Sequence, residues 1–208
     1  MALNALLQLQ EEVSSCHRCA LRDTAHGVVF GEGATTGRIV FCGEGPGAEE
    51  DRLLRPFVGA AGHLLDKMLA AMGLDRNQNA YILNAVKCRP PGNRTPLPEE
   101  LRACRPHLDA QLALLRPAIV VLLGATAIQS FLGPAARVTR IHGTWHRYHD
   151  MWLMPTYHPA ALLRNPEWKV AAWSDLRQVI DKYRELVDPE HFSAPYPNPE
   201  NKSGPLKS

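Results

Sequence analysis

The sequence predicts an α/β domain whose four-stranded parallel sheet is covered by helices on both faces, and three observations predict it. Short apolar runs rich in Val, Ile, Leu, Met or Tyr lie at 38–42, 80–86, 118–123 and 151–156. Segments with helical spacing lie at 60–72, 98–115, 124–132 and 168–187. Strands that alternate with helices in this way build parallel sheets, because each parallel connection needs a long crossover. The conspicuous polar words then fall at strand ends: Gly43 to Gly47 after the first, Asn84 to Arg94 at and after the second, His158 to Arg164 after the last. Open α/β sheets bind ligands at the carboxyl ends of their strands, so the three words point to one crevice.

The opening stretch MALNALLQLQEEVSSC carries acids and lacks the basic residues of a secretory leader, and it reads as an amphipathic helix. The run Arg38 to Cys42 reads as a buried strand, with Cys42 an inert core thiol. Gly43-Glu44-Gly45-Pro46-Gly47 has neither the Lys-Ser or Lys-Thr ending of a phosphate loop nor the spacing of a dinucleotide fingerprint. It is a tight turn that either brings backbone close to a ligand or simply joins strand to helix. Phe57 stands between Pro56 and a Gly59-Ala60-Ala61-Gly62 helix start whose free N–H groups suit an anion; taken alone it reads as a core ring. Asn84 ends the second strand, where its amide offers a donor and an acceptor to a planar ligand edge, or caps the next turn. His158-Pro159 opens a loop, followed by an apolar pair and a cation. Leu162 and Leu163 read by default as helix core, and His158 reads equally as structural or functional. From Asp188 onward a Pro-, Ser- and Asn-rich segment without periodicity reads as a mobile tail, leaving one domain over 1–187 and a tail over 188–208.

With 208 residues, 45% of them hydrophobic, the chain can bury a full core, and no stretch is long and apolar enough to span a bilayer. We expect a cytoplasmic protein, and a reducing compartment argues against disulfides among the five cysteines. A net charge of +2 neither announces nor excludes a nucleic-acid partner, since Arg55, Lys87, Arg89, Arg94 and Arg164 can share one basic face; singly, each reads as a solvated cation. Cys16 and Cys19 form a C-x-x-C pair, with Cys88 and Cys104 far downstream. Thiolates drawn from distant parts of a chain suit zinc or an iron–sulfur cluster, while the pair alone also fits a redox dithiol.

The words GEGPGAEED, RPFVGAAGHLLDKML, YILNAVKCRPPGNRTPLPEE and YHPAALLRNP, in this order with the four cysteines, closely resemble the family-four uracil-DNA glycosylases, from the first cysteines to about Tyr183. The resemblance implies a uracil-DNA glycosylase-like fold, one 4Fe-4S cluster on Cys16, Cys19, Cys88 and Cys104, and a monomeric DNA-repair enzyme. That enzyme would hydrolyse the bond between uracil and deoxyribose in DNA, leaving an abasic site. Carried over residue by residue, Gly43, Glu44 and Gly45 belong to the first motif, Phe57 stacks on uracil, Asn84 reads its edge and His158 sits by O2. Leu162 or Leu163 fills the gap left in the duplex and Arg164 meets a phosphate. Glu44 and Glu50 are the candidates for handling water, because Gly45 stands where first-family relatives place an Asp.

Leu54 departs from the family, which usually has Gly before Arg-Pro-Phe-Val-Gly. A related group traps uracil-DNA covalently through a histidine in an inserted basic loop, but Lys87 here runs directly to Cys88-Arg89-Pro90-Pro91. The rivals are a non-catalytic or covalently trapping uracil-DNA binder and a zinc-binding structural protein using the same thiols or His142, His146 and His149.

Overall fold

A computed structural model describes residues 2–193 of the chain. The four expected strands form the middle of one sheet: β2 (Ile39–Gly43), β3 (Ala80–Asn84), β4 (Ile119–Leu123) and β6 (Met151–Thr156) run parallel in the order β3-β2-β4-β6. The sheet is larger and mixed, which corrects the expected four-stranded parallel sheet. Two short strands, β1 (Glu32–Gly33) on β3 and β5 (His146–Tyr148) on β6, pair antiparallel at the two edges. Strands of two and three residues carry no readable alternation, and they cover edges that would otherwise offer unpaired backbone to other chains.

The central strands are buried along both faces, and their two-residue period divides them between two cores. Ile39, Phe41, Ile82, Ile119, Val121, Leu123 and Met154 face α4 (Ala60–Ala71) and α9 (Lys169–Leu186), through residues such as Leu65, Leu69, Leu176 and Val179. Val40, Cys42, Tyr81, Leu83, Val120, Leu122 and Leu153 face α1 (Ala2–Ser14), α5 (Pro98–Leu115) and α6 (Ala125–Leu132), through Leu6, Val13, Leu108, Leu112 and Ile128. This is the signature of parallel strands covered twice, and it places Cys42 in an apolar face as expected.

Six elements at or near strand ends complete the fold: α2 (Leu21–Thr24), α3 (Ala48–Leu53), α7 (Val138–Ile141), α8 (Pro159–Arg164) and two 3₁₀ turns, Pro91–Asn93 and Pro166–Trp168. The segment after His158 is thus a short helix and not a loop. Pro159 at its first turn needs no N–H partner and His158 caps it. Within the expected tail, Asp188 to Ser193 fold back on the domain: the carbonyl of Met72 lies 2.7 Å from His191 Nε2, and Arg184 Nε donates to His191 O. The rest of that tail, 194–208, lies outside the described residues. No helix among the described residues is long and apolar enough to cross a membrane.

Candidate active site

One cavity of about 610 Å³ opens at the carboxyl ends of the parallel strands, and it draws walls from all three polar words. Glu44, Gly45, Glu50, Phe57, Asn84, His158 and Arg164 line it, so residues far apart in sequence meet as expected.

Gly43 lies beneath this group without lining the cavity. A Cβ there would stand 2.5 Å from Asn84 Oδ1 and 2.6 Å from the Phe57 ring, so only glycine lets the amide and the ring meet over the backbone. The Gly43 and Glu44 carbonyls accept from Ala85 N (2.9 Å) and Val86 N (3.0 Å), zipping the turn to the end of β3. At Gly45, a Cβ would fall 2.7 Å from Val86 Cγ2, so a side chain there would push the turn away from the segment that follows β3.

Phe57 is buried and has a left-handed φ of 53°, a conformation L residues avoid. Two side chains hold it there. Glu50 accepts from Val58 N (2.9 Å), Gly59 N (2.8 Å) and Gly47 N (3.1 Å). Arg76, also buried, donates to Pro56 O and Phe57 O, both at 3.0 Å, while pairing with Glu32 and Asp66. Three backbone donors occupy the Glu50 carboxylate, which makes it a bracket for the Phe57 loop instead of a free acceptor for water. Arg76 was invisible to motif reading, because its only signal is burial. Leu54, at φ 54°, closes α3 in the left-handed region where glycine is the unstrained choice.

Asn84 is 1% exposed, and its Oδ1 has no hydrogen-bond partner among the described residues. A buried acceptor without a donor costs on the order of 1–3 kcal/mol unless a ligand supplies the donor. Its carbonyl takes a 2.8 Å bond from Lys87 Nζ. Lys87 is therefore not the solvated cation its sequence context suggests: it is fully buried, and burial lowers its pKa to about 8.

His158 accepts from Ala160 N through Nδ1 at 3.1 Å, which leaves the imidazole proton on Nε2. Burial, and then the charge of Arg164, lower its pKa to about 4 against a smaller opposing effect of Glu50, so the ring is neutral at neutral pH. It packs on Phe57 with centroids 5.5 Å apart and planes 30° apart. Gly124, at φ 87°, lets the start of α6 approach: a Cβ there would stand 2.8 Å from His158 Cβ. Glu44 accepts a hydrogen bond from the Thr126 hydroxyl, a partner no motif indicated.

Leu162 is 2% exposed and belongs to the core beside α4 and α9, which removes it as a candidate for filling a duplex gap. Leu163, 45% exposed, and the exposed Arg164 follow it on the solvent side of α8. Of the other cations expected on a basic face, Arg55 pairs with Glu32 and Arg94 with Glu100.

Cys16, Cys19, Cys88 and Cys104 line a second, small apolar cavity with Leu21 and Val28. Lys87 N donates to Cys104 Sγ at 3.3 Å, and His107 Nε2 lies 3.2 Å from Cys16 Sγ. Burial raises the Cys88 thiol to about 12 and also raises Cys19 and Cys104. Among the described residues no group of three or more His, Cys, Asp or Glu is set to hold a single metal ion. Cys42 stands apart on β2, fully buried and raised to about 12, an unreactive thiol.

The family model of the uracil DNA glycosylase superfamily matches residues 30–177 of this chain. The chain is 47% identical over 176 residues to the type-4 uracil-DNA glycosylase of Thermotoga maritima, spanning 83% of this chain and 87% of that protein. It is 38% identical over 186 residues to that of Archaeoglobus fulgidus (85% and 92%), and 38% over 204 residues to that of Sulfurisphaera tokodaii (93% and 90%). The chain belongs to the type-4 uracil-DNA glycosylases.

Proposed function

We propose that this chain removes uracil from DNA by hydrolysing the N-glycosidic bond, and that the unpartnered, buried Oδ1 of Asn84 beside Phe57 is the observation that carries the reading. The target nucleotide must leave the duplex before its glycosidic bond is accessible. Its pyrimidine ring then stacks on Phe57, while Asn84 Oδ1 accepts from N3–H and Nδ2 donates to O4. Cytosine presents an acceptor at N3 and a donor at N4, so it would leave both amide groups unpaired.

His158 is neutral and carries its proton on Nε2. We assign that N–H to uracil O2. As the bond between N1 and C1′ breaks, its electron pair leaves with uracil and spreads to O2, so this donor binds the departing anion more strongly than the ground state. Glu44, fixed by the Thr126 hydroxyl, holds the water that adds to C1′ and takes up the proton it releases. Glu50 acts as a positioning residue through Phe57, and Leu163 and Arg164 meet the displaced strand at the cleft mouth.

We further propose that Cys16, Cys19, Cys88 and Cys104 hold one 4Fe-4S cluster. Four thiols from three segments around one apolar cavity suit a body wider than a single ion, and the Lys87 N–H aimed at Cys104 suits a thiolate there. When bound, the cluster would supply cross-links between the α1–α2 segment, the end of β3 and α5. The buried Lys87 ammonium, with its Nζ on the Asn84 carbonyl, would then meet negative charge at close range.

Single-turnover release of uracil from a labelled oligonucleotide tests the reading. Free uracil with an alkali-labile abasic site is expected. Tight binding without release would make the protein a uracil-DNA binder, and a stable protein–DNA adduct would make it a trap.

A further inference from the structure

The cavity is much larger than a pyrimidine needs, since about 300–1,000 Å³ is the range that encloses whole drug-sized ligands. Glu44, Phe57, Asn84 and His158 of its walls serve the chemistry above. Val138, Tyr157, Ala161, Arg164 and Trp168 line the same cavity, and none of them is required by that chemistry except Arg164. Trp168 is 36% exposed there and leans on the buried Tyr157, with centroids 5.2 Å and planes 36° apart. Tyr157 in turn packs on His142 at 4.9 Å. Asp175 braces that ring, lying 3.1 Å from His142 Nδ1 while it accepts from Thr156 Oγ1 at 2.7 Å. The result is a column of three rings anchored in the core at one end and open to the cleft at the other.

The turn that carries Trp168 is fixed as well. Trp168 N donates to Asn165 O, and Asn165 Nδ2 to Ala161 O, both at 3.1 Å. A rigid indole at the rim of a cleft, with an exposed arginine one turn away on α8, is the chemistry that receives a nucleotide: base on ring, phosphate on guanidinium. An ordinary core tryptophan would present its second face to protein rather than to the cleft.

We propose that Trp168, seated on Tyr157, is a second base-binding site in which the nucleotide next to the flipped uridine stacks while Arg164 holds the phosphate between them. The proposal rests on the glycosylase reading. It makes this end of the cleft a reader of strand context that does not depend on base identity, because every base has a stacking face.

The test uses the full chain and single-stranded oligonucleotides carrying one uracil, with an abasic spacer replacing the base on its 5′ side, its 3′ side, or both. For the wild type, one of the two single spacers should lower kcat/KM by about 5- to 150-fold, the range of one lost stacking contact. Trp168→Leu should lower kcat/KM by a similar factor on the fully based substrate and then be insensitive to that spacer, because protein and substrate changes remove the same contact. Trp168→Phe, which keeps a ring and guards against a folding defect, should retain most of the wild-type sensitivity. Arg164→Gln should flatten the salt dependence of kcat/KM by about one unit of slope. Unaltered spacer sensitivity in Trp168→Leu, or an equal loss on all four substrates, overturns the site. Absence of uracil release by the wild type from every substrate, including the fully based one, would instead overturn the glycosylase reading, and the site with it.

Discussion

Asn84→Asp is the substitution whose effect the structure defines most closely. The side chain is 1% exposed and its Oδ1 has no partner among the described residues, so the variant breaks no side-chain bond there. Lys87 bonds the residue 84 carbonyl, which the substitution keeps. The change therefore falls on the ligand. The carboxylate still accepts from uracil N3–H, but the donor facing O4 becomes an acceptor, leaving two buried groups unpaired at about 1–3 kcal/mol each. Single-turnover uracil excision should fall at least about thirtyfold with iron content unchanged, while the buried carboxylate lowers Tm at neutral pH. Burial raises the pKa of a carboxyl at this position, and its protonated form regains an O–H donor. The variant should thus recover activity as pH falls, through an ionisation the wild type lacks. Rates on uracil and cytosine oligonucleotides from pH 5 to 8 (a range on the order of three units around neutrality) provide the assay. Wild-type excision rates and a wild-type pH profile in a folded variant would refute the assignment.

His158→Ala should slow single-turnover cleavage by about a hundredfold or more with DNA affinity nearly unchanged, as for removal of an oxyanion donor; near-normal cleavage would make the residue structural only. Its lowered pKa also fixes a sign: the folded ring stays neutral down to about 4, whereas the unfolded chain binds that proton at about 6.5, so this residue's contribution to stability declines as pH falls through that window. The wild-type single-turnover rate should accordingly show no limb from His158 near pH 6.5. Cys88→Ala should lose iron and lower Tm, whereas Cys42→Ala, on β2 and outside the thiol cavity, should keep its iron; iron analysis and the visible spectrum decide both. Leu54→Gly should leave stability equal or raise Tm by up to about 6 °C in thermal melts. The left-handed Leu is strained by about 1–2 kcal/mol, and the unfolded-state cost of Gly offsets about 0.5–1 of it. A clear fall in Tm would mean that Leu54 packing outweighs its strain.

The strands that bear the site were legible because buried parallel strands are dense in β-branched and aliphatic residues and end in polar words, and all four fell within two residues of the expected bounds at each end. The edge strands were not legible, since Glu32–Gly33 and His146–Tyr148 are too short to show a period. Leu162 and Leu163 could not be told apart in sequence: adjacent residues on a helix point about 100° apart, and only the position of α8 on the domain decides which is buried. Lys87 was misread for a related reason. A lysine beside Cys-Arg-Pro-Pro looks solvated, and nothing local indicates that its own backbone N–H turns to the Cys104 thiol while its ammonium bonds the Asn84 carbonyl.

The least legible feature is what holds Phe57. Its ring must lie over Gly43 and against His158, and the backbone that delivers it there is left-handed at a residue that resists that conformation. Neither cost is met locally. Glu50 gathers the amides that follow Phe57, and Arg76, from the loop before β3, gathers the two carbonyls at Pro56 and Phe57. Arg76 is itself oriented by Glu32 and Asp66, and Glu32 also pairs with Arg55, so an edge strand, the Phe57 loop and α4 share one ionic network. Gly62 allows this closeness, because a Cβ there would stand 1.9 Å from Phe57 O. The motif Arg-Pro-Phe-Val-Gly is therefore only the visible part of a clamp. The remainder is supplied by charged residues whose spacing in sequence carries no pattern, because their meeting is a consequence of the completed fold.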